Sequence, residues 1–232
     1  MQAAGQANPA AHATPLFSAA GGAGASSAIH VAVHIRRGDM VYRNFNNQLS
    51  PDAYYANAMW HVLGLLAATH AAGAPAPAVC FHVFSQPPPK RSWTGRAKVP
   101  LDASRHGAAY VDELGCAADL RAQLATLVSA EAAAGGKTPQ WELRMHLDAD
   151  PVVSVLHMSR AHVLIASDSS FSLIAAVLSR GLVLARDGWR RFANEARAGM
   201  LHAMPIRDDG GFDCGRAAKL WAAAARSGPT LE

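Results

Sequence analysis

Short apolar runs that alternate with longer helical segments limit this chain to few folds. Residues 29–35 and Val79–Ser85 are apolar and rich in β-branched or aromatic side chains, a composition typical of buried strands. Further strands are predicted at 162–166 and 182–185 and near 108–111, and helices at about 50–69, 117–134, 150–160 and 170–180. Strands that alternate with helices form parallel sheets. We therefore predict an α/β fold built on a Rossmann-like parallel sheet with helices on both faces.

Composition divides the chain into a leader and one domain. Residues 1–27 are mostly Ala, Gly, Ser and Pro, so we predict a flexible leader there and a single domain over 28–232. The chain has 232 residues, half of them hydrophobic, which is enough for a sizeable core. In the first predicted helix, Ser50 is expected as the N-cap and Pro51 in the first turn.

The charge pattern excludes some classes of partner. The 21 basic and 17 acidic residues give a net charge of +4, and no Lys/Arg-rich run of the nucleic-acid-binding type is present. This mildly basic balance is explained first by a composition generally rich in Ala, Gly, Pro and Arg, and it also suits an anionic substrate. No apolar run reaches the length of a membrane span and no signal peptide is recognisable, so we expect no membrane segment.

The cysteines predict neither a disulfide framework nor a cysteine-paired metal site. Cys80, Cys116 and Cys214 are odd in number and far apart in the sequence. No pair has metal-ligand spacing, and no carboxylate cluster requires a metal ion. We therefore expect no metal and no resident cofactor.

Two adjacent arginines follow the first predicted strand directly, in the sequence Val31-Ala-Val-His-Ile-Arg-Arg-Gly-Asp-Met40. Neighbouring guanidinium groups repel each other, so the pair makes sense if an anion lies between them. The planar fork of arginine binds two oxygens of a phosphate at once. Ligands of parallel sheets bind at the carboxyl ends of the strands, where Arg36 and Arg37 are expected.

A second polar segment, Ala166-Ser-Asp-Ser-Ser-Phe-Ser172, follows a predicted strand and opens a helix. Free backbone N–H groups and the helix dipole favour an anion at such a position, and several hydroxyls are added. Simple capping of the helix by Ser or Asp is the alternative interpretation. Asp168 fits the anion interpretation only if its carboxylate points away from the ligand.

Four motifs in order resemble those of the α1,2-, α1,6- and protein O-fucosyltransferases, and most closely those of the α1,2-fucosyltransferase family. The His-x-Arg-Arg-x-Asp of 34–39 resembles the family's arginine signature. Ser-Pro-Asp-Ala-Tyr-Tyr at 50–55, Phe-His-Val-Phe-Ser at 81–85 and the segment 156–172 resemble the motifs that follow it. Order and spacing agree over roughly 29–190.

The resemblance implies the nucleotide-binding half of a GT-B glycosyltransferase, with GDP-fucose as donor and a glycan hydroxyl as acceptor. It implies a metal-independent reaction in which arginines take the place of a divalent ion. It places His34 beside the nucleoside and Arg36 and Arg37 on the phosphates. It places three hydroxyls around the phosphate site, those of Ser169, Ser170 and Ser172.

The resemblance also bears on catalysis and location. Asp39 is the nearest candidate base for the acceptor hydroxyl, with a salt bridge that orients Arg36 or Arg37 as the alternative. The Asp with which related enzymes hold guanine falls on Ser154. Family members work in the Golgi or elsewhere in the secretory pathway, so without an anchor we expect a fragment, an incomplete gene model or a divergent relative. The alternative functions are a catalytically inactive nucleotide- or glycan-binding domain and a purely structural α/β domain.

The arginine interpretation makes a direct prediction for Arg37→Lys. Lysine keeps the charge but lacks the bidentate fork. A charge-assisted hydrogen bond contributes about 1.5–3 kcal/mol, so its loss should weaken GDP binding roughly ten- to a hundredfold. Calorimetric titration measures this, with Arg36→Lys as the comparison. Unchanged affinity in Arg37→Lys would assign the phosphate contact to Arg36 or to neither residue.

Overall fold

Eleven elements make up the part of the chain that the computed structural model describes, which is residues 28–36, 50–70, 77–85, 113–136, 138–147, 149–188 and 202–227. The strands are β1 (Ile29–His34), β2 (Val79–Ser85), β3 (Trp141–Leu147), β4 (Val163–Ala166), β5 (Leu182–Arg186) and β6 (Ala203–Ile206). The helices are α1 (Asp52–Thr69), α2 (Glu113–Ala133), α3 (Pro151–Arg160), α4 (Ser170–Leu178) and α5 (Cys214–Ser227). The predicted leader, the strand near 108–111, Arg37 and Asp39 lie outside these residues.

The strands form one parallel sheet in the order β3-β2-β1-β4-β5-β6. This is the doubly wound order of Rossmann folds, and the predicted α/β architecture is confirmed. The chain builds outward from β1 through β2 to β3, then crosses back to β4 on the other side of β1. The order therefore reverses between β1 and β4, the position at which such sheets bind ligands.

Alternate side chains of the sheet supply two separate cores, one on each face. Val31 and Val33 of β1 join a cluster with side chains of α1, α2 and α5. Ala32 and Leu164 join a second cluster with Met158 at the end of α3 and with α4. The two-residue period of a strand explains this division. Because helices cover both faces, the central strands are mostly apolar on both faces, with a few buried histidines, which made them readable in the sequence.

The first helix begins one residue later than predicted. Pro51 occupies the N-cap position in extended conformation, and no side-chain cap is formed there. Ser50 is buried just outside the helix. A proline side chain has no hydrogen-bonding group, so the predicted serine cap is wrong at this end. The helix packs nearly all round, with Tyr54 and Leu63 among its fully enclosed side chains.

The sequence failed to predict β3, β6 and α5. β3 carries Glu142 and Arg144 and buries only Leu143 fully, because it lies at one edge of the sheet and lacks an apolar run. β6 has only four residues, one of them Pro205, and lies at the other edge, where a proline costs no ladder hydrogen bond. In the described ranges, no helix is long and apolar enough to cross a membrane.

Candidate functional site

A cavity of about 190 Å³ opens at the carboxyl ends of β1, β2 and β3. It extends from the ends of β2 and β3 to that of β1, and Phe171 of α4 carries its wall to the border between β1 and β4, where the strand order reverses. Its wall comes from three strands and the first turns of two helices, and consists of His34, Ile35, Arg36, Phe84, Ser85, His146, Ala149, Pro151, Ser154 and Phe171.

Backbone and side-chain hydrogen bonds hold the exit of β1 in place. The Ile35 N–H donates to the Phe84 carbonyl at 2.9 Å, which continues the pairing of β1 and β2 by one residue. The Ser85 hydroxyl donates to the Ile35 carbonyl at 2.9 Å. The next residue, Arg36, therefore leaves the sheet at a fixed point and lines the cavity.

Aromatic rings form much of the wall. Phe84 and His146 stack with their ring centroids 4.8 Å apart, and Phe171 lies tilted against His34 at 5.2 Å. Burial, together with the nearby Arg144 charge, lowers the pKa of His146, so this ring is neutral at pH 7. The cavity thus offers flat, uncharged surfaces beside the single arginine of its described lining.

His34 connects the two polar segments of the sequence through a compact hydrogen-bond network. Its Nδ1 lies 2.5 Å from the Ser172 hydroxyl and 2.8 Å from the Ser167 hydroxyl. The Ser167 backbone N–H donates to the Ser172 hydroxyl at 3.2 Å, and the two hydroxyls lie 3.1 Å apart. His34 and Ser172 are 138 residues apart in the sequence. Two motifs that are distant in the chain therefore share one buried network.

The network determines which nitrogen of His34 carries the proton. The Ser172 oxygen already accepts the Ser167 backbone N–H. If Nδ1 carries no proton, one serine hydroxyl can donate to Nδ1 and the other can donate to its neighbour, so both hydroxyl hydrogens have acceptors. We therefore assign the ring proton to Nε2. No hydrogen bond of Nε2 occurs among the described residues, and His34 lines the cavity. His34 can thus donate one hydrogen bond to a bound molecule.

His34 is uncharged in the folded protein. Burial, with a smaller contribution from the Arg36 charge, lowers the pKa of His34 to about 3. Ser172 is fully enclosed, so its hydroxyl cannot reach a substrate as a nucleophile. The histidine and the two serines therefore form a rigid neutral donor and not a hydrolytic dyad.

Two of the other predicted site serines differ in their surroundings. Ser169 is the N-cap of α4, and its hydroxyl accepts from the N–H groups of Phe171 and Ser172. The capping alternative therefore describes Ser169, whose part in a phosphate site stays a prediction. Ser170 is exposed at the first position of α4, and neither serine lines the cavity.

Of the remaining predicted site residues, Arg36 belongs to the described part of the chain, and Arg37 and Asp39 do not. Arg36 lines the cavity as predicted by the double-arginine motif. Arg37 and Asp39 fall within 37–49, outside the described residues, so their roles stay predictions.

Sequence reasoning missed several residues of the wall. His146 was missed together with its strand, β3. Ser154 was noted only as the position of the family's guanine-binding Asp, and it is now found buried in the cavity wall. It lies there because Asp150 caps α3, with its carboxylate accepting the Val153 N–H at 2.9 Å. Ser167 is not part of the wall but joins the His34 network, and it belongs to the serine segment that follows β4 and stood out in the sequence.

Three imidazole rings, beginning with His146 in the cavity wall, form a hydrogen-bonded chain across the sheet. His146 Nε2 lies 3.0 Å from His82 Nδ1, and His82 Nε2 lies 3.1 Å from His30 Nδ1. His82 is fully enclosed, and burial, with the neighbouring charges, lowers its pKa to about 3. A histidine in an apolar strand is more often a satisfied core residue than a ligand, and both ring nitrogens of His82 have partners.

Comparison with known proteins adds no family assignment. No protein-family model matches the chain, and no curated protein matches its sequence.

The buried neutral state of His34 predicts an acid-dependent loss of stability. The unfolded chain takes up a proton below the ordinary pKa of about 6.5, whereas folded His34 does so only near 3. Stability from this group is therefore present above pH 6.5 and is lost as the pH falls toward 3. Between pH 7 and pH 5 the loss is about 2 kcal/mol.

Urea unfolding of the wild type and His34→Gln at pH 7 and pH 5 measures this contribution. Other buried histidines also weaken the fold in acid, so the informative quantity is the difference between the two proteins. We expect His34→Gln to lose about 2 kcal/mol less than the wild type. Equal losses would mean that His34 is not held neutral.

Proposed function

We propose that this domain binds a nucleotide-sugar donor in the cavity and transfers fucose from GDP-fucose to a glycan hydroxyl without a metal ion. One observation carries the proposal. His34 of the arginine motif and Ser172 of the serine motif meet in one network, 2.5 Å apart, beside a cavity lined by Arg36 and Phe171. These are two of the motifs that resemble the fucosyltransferases.

The position of the cavity supports a nucleotide as ligand. Doubly wound sheets bind nucleotides outside the carboxyl ends of their strands where the strand order reverses. The volume of about 190 Å³ lies below the roughly 300–1,000 Å³ of sites that enclose a drug-sized ligand. We infer that the described wall holds one part of the donor, with segments beyond the described residues completing the site.

The wall offers a separate contact for each part of a nucleotide. Arg36 supplies a cation and a planar fork for a phosphate. The His34 Nε2–H is a fixed neutral donor for a ribose or phosphate oxygen. The ring of Phe171 suits a base, and by the resemblance the Ser154 hydroxyl corresponds to the carboxylate with which fucosyltransferases hold guanine. A nucleoside diphosphate therefore matches this wall better than an uncharged sugar alone.

The proposed reaction uses these contacts to stabilise the leaving group. The bond between fucose C1 and the β-phosphate oxygen breaks, and the acceptor oxygen forms a new bond to C1. The GDP that leaves gains negative charge, which Arg36 and Arg37 neutralise in place of a metal. The acceptor hydroxyl loses its proton to a base, for which Asp39 is the candidate. In a GT-B enzyme of this kind, a second domain would supply the acceptor site, and the Golgi would be the expected compartment.

A second candidate is a nucleotide-binding domain without transferase activity. Ser154 favours it, because a hydroxyl is a weaker partner for the guanine N–H groups than the carboxylate used by related enzymes. The two candidates share the cavity and differ in turnover. Release of GDP from GDP-fucose, with or without a glycan acceptor, supports the transferase, whereas tight binding without release supports the second candidate.

A ligand screen by thermal unfolding tests the binding step. Because a ligand that binds only the folded state raises its stability, we expect GDP to raise Tm more than UDP or CDP does, in a buffer containing a chelator. Arg36→Gln should lose most of this shift. Arg180→Gln, an exposed arginine just beyond α4 and absent from the cavity wall, is the matched control and should keep it.

Three results of this screen would count against the proposal. They are equal shifts for the three nucleotides, a shift that requires Mg²⁺ or Mn²⁺, and a shift that survives in Arg36→Gln.

A further inference from the structure

Three side chains with metal-binding atoms lie together on the sheet, away from the cavity. His30 of β1 is paired directly with Cys80 of β2. His82 follows Cys80 by two residues, so the two side chains project from the same face. The cluster comprises His30 Nδ1 or Nε2, the Cys80 thiol and a ring nitrogen of His82, with these ligand atoms all within 4.8 Å of one another.

The spacing is close to that of ligands around one small ion. His30 Nδ1 and His82 Nε2 are 3.1 Å apart. In a tetrahedral zinc site, with Zn–N near 2.0–2.1 Å and Zn–S near 2.3 Å, neighbouring ligand atoms lie about 3.3–3.6 Å apart. A zinc ion therefore fits between the two imidazoles after shifts of a few tenths of an ångström. The thiol of Cys80 lies within 4.8 Å of the imidazole nitrogens and has to approach the ion by up to about 1.2 Å to complete the site.

The chemistry of these three groups selects a particular class of metal. Two imidazoles and a thiolate suit Zn²⁺ and related borderline-soft ions and do not suit Mg²⁺ or Ca²⁺. Cys80 and His82 are buried and His30 is half-buried, which leaves an approach for an ion past His30.

The neighbours of the cluster match the outer partners of a zinc site. If His82 binds a metal through Nε2, its proton must lie on Nδ1, which is 3.0 Å from His146 Nε2. Ligating histidines commonly donate their second N–H to an oxygen acceptor, which fixes the ring, and here the His146 nitrogen would take the place of that acceptor. Glu142 is paired with Cys80 across the sheet and is itself held by Arg144 at 2.7 Å.

We propose that His30, Cys80 and His82 bind one zinc ion, with water in the fourth position. Binding replaces the thiol proton, which passes to the solvent, and forms Zn–N and Zn–S bonds without any change of oxidation state. The ion would cross-link β1 to β2 near their amino-terminal ends and so stabilise the strand that carries His34 and Arg36. The proposal is independent of the glycosyl-transfer function.

Cobalt substitution in the full-length, tag-free chain tests the site directly. We expect one equivalent of Co²⁺ to give visible bands of tetrahedral cobalt and a near-ultraviolet thiolate-to-cobalt charge-transfer band, both displaced by one equivalent of Zn²⁺. Cys80→Ser should lose the charge-transfer band. Cys214→Ser is the matched control, because this exposed cysteine lies at the start of α5, and it should keep the band.

If Cys80→Ser does not fold, thermal unfolding of the wild type with and without zinc still tests the site. Bound zinc should raise Tm of the wild type and of Cys214→Ser, and His30→Asn, changed at the half-buried rim, should bind zinc at least tenfold more weakly. Cobalt binding without a thiolate band, stoichiometry below one, or a band that persists in a folded Cys80→Ser would each overturn the proposal. In that case the imidazoles form only the hydrogen-bonded chain that links them to His146.

Discussion

The hydrogen bonds between His34 and the serines of the β4–α4 connection are the interaction on which the site depends. They cross the reversal of strand order, where parallel sheets leave a crevice because neighbouring connections run to opposite faces. Backbone pairing alone brings β1 beside β4 but does not fix a side chain at their ends. The Ser172 and Ser167 hydroxyls do so, 2.5 and 2.8 Å from Nδ1, and thereby hold a neutral imidazole beside Arg36. The buried hydroxyls and Nδ1 are tolerated there because each is paired within the network.

The face of the sheet that packs against α3 and α4 has an apolar half and a half that is rich in histidine. Its half near β4 and β5 is apolar, with Leu164, Ala166 and Val183 against α3 and α4, and it supplies packing energy. Its half near β2 and β3 is lined with histidines that burial keeps uncharged. Each buried imidazole lowers the stability of the folded protein in acid. The hydrogen bonds between these rings offset the cost of burying their nitrogens. We regard this arrangement as the physical basis of both the cavity wall and the proposed zinc cluster.

Sequence reasoning predicted the centre of the sheet and missed its edges, and the reason is burial. β1, β2, β4 and β5 are enclosed by helices and are mostly apolar, whereas β3 exposes Glu142 and therefore looks polar. The double-arginine and serine segments stood out in the sequence because they follow buried strands, and of their predicted site residues His34 and Arg36 line the cavity. The partner of His34 was not predicted, since the meeting of His34 with Ser172 depends on strand order and not on local pattern. The cluster of His30, Cys80 and His82 was missed for the same reason, because its members belong to two strands and only Cys-x-His is visible in the sequence.

The affinity of Ser172→Ala for GDP-fucose, measured by titration calorimetry, tests most directly whether the His34 network builds a nucleotide site. Ser159→Ala is the matched control, because the Ser159 hydroxyl donates only to the Leu156 carbonyl of its own helix, at 2.9 Å. Loss of the Ser172 hydroxyl removes the shorter of the two hydroxyl contacts of His34 Nδ1 and should loosen the ring beside Arg36, and a loss of about one hydrogen bond corresponds to roughly five- to tenfold weaker binding. Near-ultraviolet circular dichroism should confirm that both variants are folded. Our account predicts weakened binding in Ser172→Ala and wild-type binding in Ser159→Ala, and equal affinity in both folded variants would contradict it.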